Sequence, residues 1–77
     1  MKETMKKNIS DSLRLIRLEH RDRIEDLARK SGVASSTISK YEQGYSDMTL
    51  NKIEQILQPY NINLYIFFEN IIAKTQK

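Results

Sequence analysis

The sequence has no cysteine, so it carries neither a disulfide framework nor a thiolate metal site. It has a single proline and two glycines, Gly32 and Gly44. Glycines this scarce mark positions where the backbone needs them. No apolar run is long enough to span a bilayer, and the opening "MKETMKKNISDS" lacks the apolar centre of a signal peptide. These absences predict a soluble, cytoplasmic chain with no membrane partner. The 77 residues are enough for one small domain, which is marginal alone and gains stability from a partner chain. Hydrophobic residues at 39% suffice for a core.

What is present is unevenly charged. Residues 1–40 hold ten Lys and Arg against six Asp and Glu, and residues 41–77 hold three against four. A basic front half suits a polyanionic partner, although charge alone fits solvated helix faces equally well.

Apolar residues recur at helical spacing almost throughout. Ile9, Leu13 and Ile16 form one stripe on a helix over about residues 6–20. Ile24, Leu27 and Ala28 form another on a short helix ending at Ser31, followed by Gly32. A third helix runs from about Ser35 to Gln43 and closes at Gly44. Thr49 is an N-cap for a fourth, carrying Leu50, Ile53, Ile56 and Leu57, which Pro59 ends. Asn63 caps a fifth, "LYIFFENIIAK". "INLYIFF" also has the composition of a strand, but Leu64, Phe68 and Ile71 recur at i, i+4, i+7, and these three are expected to face the core. The prediction is one all-α domain over residues 1–77, a bundle of about five short helices.

The segment "ARKSGVASSTISKYEQG" combines helix 2, a tight turn and helix 3. Ala28 permits close helix crossing, Gly32 takes the turn, and Val33 and Ile38 face inward. That leaves the hydroxyl residues on the outward face of helix 3. This unit resembles a helix-turn-helix, in which that face enters the major groove of DNA.

The resemblance extends over about residues 9–72. "IRLEH…IEDLARKSGVASSTISKYEQG…MTLNKIEQIL" is similar to the Cro/C1-type (lambda repressor-like) helix-turn-helix family of phage and bacterial regulators. Within it, "TLNKIEQIL" followed by "FFENII" looks most like the small controller proteins of restriction–modification systems. Those are homodimers that activate and repress their own operon. The resemblance implies base readout by Ala34, Ser35, Ser36, Thr37, Ser39 and Lys40. It implies phosphate contacts from Arg23, Gln43, Ser46, Asn51 and Lys52. Arg17 and Glu42 match a pair that bridges helix 1 to the end of helix 3. Arg23 stands where the family usually has Ser or Thr, so a cap for helix 2 falls to Asp22. Ile24 stands where a phosphate-touching Gln is common, and Ser35 where controller proteins often carry a long polar reader. Small readers shift specificity toward DNA shape.

Arg14, Arg21, Arg29 and Lys30 read as solvated charges, and His20 as a charge near a helix C-terminus rather than a metal ligand. The last helix is apolar almost all round, more than one core face can absorb, so Tyr65, Ile66, Phe67 and Ile72 are expected at a dimer interface, with residues 63–73 as the dimerisation helix. No cofactor, metal or small-molecule ligand is implied, and no catalytic constellation is visible. The expected function is a homodimeric regulator of double-stranded DNA at a palindromic operator. The alternative is an antitoxin or mobile-element repressor whose main partner is another protein. The chain ends about five residues after Ile72, which weighs against a segment that wraps such a partner.

Overall fold

The computed structural model describes residues 2–45 and 47–75. In chain order the elements are α1 (Lys2–Glu19), α2 (Ile24–Ser31), α3 (Ser35–Gln43), α4 (Leu50–Leu57), a 3-10 turn (Gln58–Tyr60) and α5 (Leu64–Thr75). No strand occurs among the described residues. No helix among them is long and apolar enough to cross a membrane.

Most helix ends follow from local chemistry. Gly32 takes the left-handed conformation (φ 78°), and its N–H closes α2 on the Ala28 carbonyl at 2.9 Å. Gly44 does the same for α3 (φ 74°). Thr49 Oγ1 accepts the Lys52 N–H at 3.2 Å and starts α4, and Asn63 Oδ1 accepts the Ile66 N–H at 2.9 Å and starts α5. Pro59 falls in the 3-10 turn that follows α4, and Asn61 (φ 59°) closes that turn.

Two ends depart from the sequence reading. α1 begins at Lys2 rather than near residue 6. Its first turn carries no apolar stripe, but Lys, Glu and Met are strong helix formers. At α2 it is Asp26, not Asp22, that caps: Asp26 Oδ2 accepts the Arg23 N–H at 2.9 Å. Asp22 is engaged elsewhere, accepting Lys30 Nζ at 2.9 Å and the Tyr60 hydroxyl at 2.8 Å.

The core joins one stripe from every helix: Leu13 (α1), Leu27 (α2), Val33 and Ile38 (the turn and α3), Ile53, Ile56 and Leu57 (α4), and Phe67 and Ile71 (α5). α5 is rotated from the expected phase. Phe67 is 2% exposed and belongs to the core, which corrects its placement at a dimer interface. Leu64 and Phe68 are only half-buried, with Phe68 set edge-on against Phe67 at 5.2 Å. In an all-apolar helix the period gives no phase, and packing against α1 and α4 selects the 67/71 stripe.

Asp22 and Asp26 tie the start of α2 to its surroundings. Donation from Lys30 and then Tyr60 holds the Asp22 carboxyl below its ordinary range, and the Arg23 N–H and then Arg29 do the same for Asp26. A folded-state pKa below the unfolded value stabilises the fold above that value, and the gain is lost as pH falls through the folded one. The melting temperature is therefore expected to hold down to about pH 5 and to fall below about pH 4. Asp22→Asn should lower the plateau and flatten the acid limb. An unchanged acid limb in this variant would remove Asp22 from the account.

Candidate nucleic-acid interface

α3 opens without a side-chain cap, because Ala34 occupies that position. Ala34, Ser35 and Ser36 are exposed, as is Lys40 one turn on. Thr37 and Ser39 are half-buried at the edges of this face. Ser39 Oγ accepts from Gln43 Nε2 at 2.8 Å, so one base-readout candidate and one phosphate candidate are joined to each other. The inward side of α3 is Ile38 and Tyr41, 1% and 4% exposed. The result is a short helix with an apolar back and a front of hydroxyls and one ammonium.

Its orientation is set by Arg17. Nε and Nη2 of Arg17 donate to the two carboxylate oxygens of Glu42 at 2.8 and 2.9 Å, a two-point contact between α1 and the last turn of α3. Nη1 donates to the Asp22 carbonyl at 2.8 Å, tying in the α1–α2 turn. The two side chains are 9% and 5% exposed. A charge pair this dry depends on both partners being present. The Tyr41 hydroxyl accepts the Thr49 N–H at 3.3 Å and steadies the segment between α3 and α4.

The remaining phosphate candidates lie at the ends of the elements that flank α3. Arg23 is exposed at the start of α2, and Asn51 is exposed and Lys52 half-buried in the first turn of α4. Ser46 lies outside the described residues. Arg29 and Lys30, expected to be solvated, are paired with Asp26 (3.0 Å) and Asp22 (2.9 Å). His20 stacks on Tyr60 with ring centroids 4.1 Å apart, and its Nδ1 lies 2.8 Å from the Ile16 carbonyl at the end of α1. Burial, and then the bond to Asp22, push the Tyr60 hydroxyl well above the ordinary tyrosine range. It therefore remains a proton donor.

The apolar surface of α5 divides between two sides. Tyr65 (74% exposed) and Ile72 line an open groove of about 360 Å³ with Leu50, Leu64 and Phe68. Ile66 faces the other way, into a groove against Leu15 and Ile16 of α1. Leu50, expected in the inward stripe of α4, is 58% exposed, and so is a part of the first groove that sequence reasoning missed. Its position beside the N-cap Thr49 was the available signal. Tyr45, just beyond α3, is 78% exposed.

The helix-turn-helix family profile matches residues 13–67. Comparison with curated proteins finds no match. Among solved structures, the restriction–modification controller protein C.Esp1396I, as a tetramer in complex with its natural 35 base-pair operator, superposes with a TM-score of 0.81. It is 31% identical, over 92% of this chain and 93% of that one. The wild-type C.Esp1396I structure gives the same TM-score, identity and coverage. The profile takes in the buried stripes, the Gly32 turn and the outward face of α3, and on this match the chain belongs to the Cro/C1-type helix-turn-helix family.

Proposed function

We infer that this chain is a sequence-specific regulator of transcription, acting in the cytoplasm as a homodimer on a palindromic double-stranded DNA operator. The observation that carries this reading is the construction of α3: an exposed, polar N-terminal face pinned from behind by a buried, two-point ion pair. A helix held this rigidly and left bare on one side is suited to insertion in a groove. Ala34 and the Thr37 methyl suit thymine methyls, and Ser35, Ser36 and Ser39 can donate to or accept from base edges. Lys40 is the long cation of this face. Arg23, Gln43, Ser46, Asn51 and Lys52 are assigned to phosphates, which position the protein without reading sequence.

The similarity to a controller protein bound to its operator supports the finer role, an activator and repressor of its own operon within a restriction–modification system. The second copy docks through the groove formed by Leu50, Tyr65 and Ile72, within a dimerisation helix over residues 63–73. Leu50 begins α4, seven residues after Gln43 ends α3. A two-fold contact there uses the same patch on both copies.

The test compares two substitutions on α3. Lys40→Ala is expected to weaken binding to operator and scrambled duplex alike and to reduce the salt slope by about one charge. Ser36→Ala is expected to erode discrimination between them, by up to about 1–3 kcal/mol. Salt titrations on both duplexes separate these effects. If neither variant differs from the wild type, α3 does not lie in the groove.

A further inference from the structure

The assignment above gives α1 only a structural part. An open cleft of about 550 Å³ separates the first half of α1 from the end of α3, with Lys6 and Ser10 on one wall and Gln43 and Gly44 on the other. Ser10 is 3% exposed, and its hydroxyl is buried without a hydrogen-bond partner among the described residues. Buried hydroxyls are nearly always paired, so an unpaired one at the wall of a cleft points to a partner from outside. Gly44 keeps this wall open: a Cβ there would stand 3.2 Å from Ser10 Oγ, on a backbone with φ of 74°.

The charges of the cleft do not cancel. Its two carboxylates are both occupied, Asp11 by Lys7 at 2.8 Å and Glu42 by Arg17. Lys6 has no ion-pair partner among the described residues. The cleft thus offers an ammonium, an unpaired hydroxyl and, beside them, the second N–H of the Gln43 amide, whose first goes to Ser39, a donor set suited to a phosphate oxygen. Its place on the molecule fits the same ligand. α3 spans nine residues, about 13 Å of helix, close to the roughly 12 Å width of a major groove. With Ala34–Ser36 against the bases, Gln43 and Gly44 reach the groove's edge, where the backbone runs.

We propose that the cleft between α1 and the end of α3 binds a DNA backbone phosphate, with Lys6 supplying charge and Ser10 a hydrogen bond. α1 then extends the footprint beyond the recognition helix. This rests on the DNA-binding reading, and the experiment separates the two. Binding of the full chain is measured by fluorescence anisotropy on a mixed-sequence duplex of about three helical turns and on a duplex selected in vitro, from about 50 to about 200 mM salt.

Lys6→Gln is expected to lose about three- to tenfold in affinity on both duplexes, with a salt slope smaller by about 0.9. Ser10→Ala removes a hydroxyl that has no partner among the described residues, so its thermal midpoint should be equal or higher. Its DNA affinity should nonetheless fall about fivefold. If the wild type binds neither duplex, the DNA-binding reading fails and takes the cleft with it. If the wild type binds and both variants match it in affinity and slope, DNA binding stands and the cleft proposal is overturned. A loss confined to Lys6→Gln reduces the cleft to diffuse surface charge and overturns it as a built site.

Discussion

Glu42→Ala is expected to cost about 3–5 kcal/mol of folding stability, because it strands the Arg17 guanidinium at a nearly dry site. A chain of this length has in all about 4–12 kcal/mol to lose, so the variant should melt far below the wild type. Replacing both partners by apolar residues of similar size, Arg17→Met with Glu42→Leu, should recover most of that loss. The double variant should still bind DNA less well than its stability suggests, because α3 is no longer held at a set angle to α1. Urea unfolding of the single and double variants gives the coupling energy. A coupling near zero would mean that the two charges do not support each other, and α3 would need another anchor.

The second large effect concerns assembly. Tyr65→Asp places a charge in the groove it shares with Leu50 and Ile72, where a second copy is proposed to dock. Tyr65 is 74% exposed in the single chain, so folding should change by only about 0.5 kcal/mol. Dimer affinity should fall by about two orders of magnitude, and operator affinity with it, since each half-site would then be held separately. Phe67→Asp cannot serve for this test, because Phe67 is a core residue and its replacement unfolds the domain. Sedimentation velocity of the wild type and Tyr65→Asp decides the matter. A wild type that is monomeric at tens of micromolar (on the order of a weak dimer's dissociation constant) overturns the dimer, and a variant that dimerises normally moves the interface to the Leu15 and Ile66 side of α5.

How far the sequence was legible depended on how local each determinant is. Gly32, Gly44, Thr49 and Asn63 act within four residues of themselves, and each ends or begins a helix where its chemistry requires. The Arg17–Glu42 contact joins residues 25 apart, and only the family resemblance pointed to it. The exchange of roles between Asp22 and Asp26 was out of reach. Asp22, Glu25 and Asp26 all stand near the start of α2, and Asp22 is drawn off by Lys30 and by Tyr60, which arrives from 38 residues away. The facing of α5 was illegible for a different reason. "LYIFF" has no polar side to give a phase, so Phe67 and Phe68 could be told apart only by what packs against them. Leu50 differs, because its place beside the N-cap Thr49 hinted at the exposure that the ends of α4 and α5 leave it.

The position of Asp22 has a mechanical consequence. Its carbonyl is held by Arg17, whose other donors hold Glu42 on α3, and its carboxylate holds Tyr60, three residues before Asn63 starts α5. Glu42, Arg17, Asp22 and Tyr60 therefore form a continuous strut from the reading helix to the helix proposed to join the copies. In a dimer built at the far end of two such struts, the gap between the readers is a fixed length. Such a dimer measures spacing as a caliper does. One base pair added between half-sites turns one of them by about 34–36° around the DNA axis, and a stiff strut cannot follow that turn. Half-site spacing then becomes part of what is recognised, alongside the few base edges that small hydroxyl side chains can read.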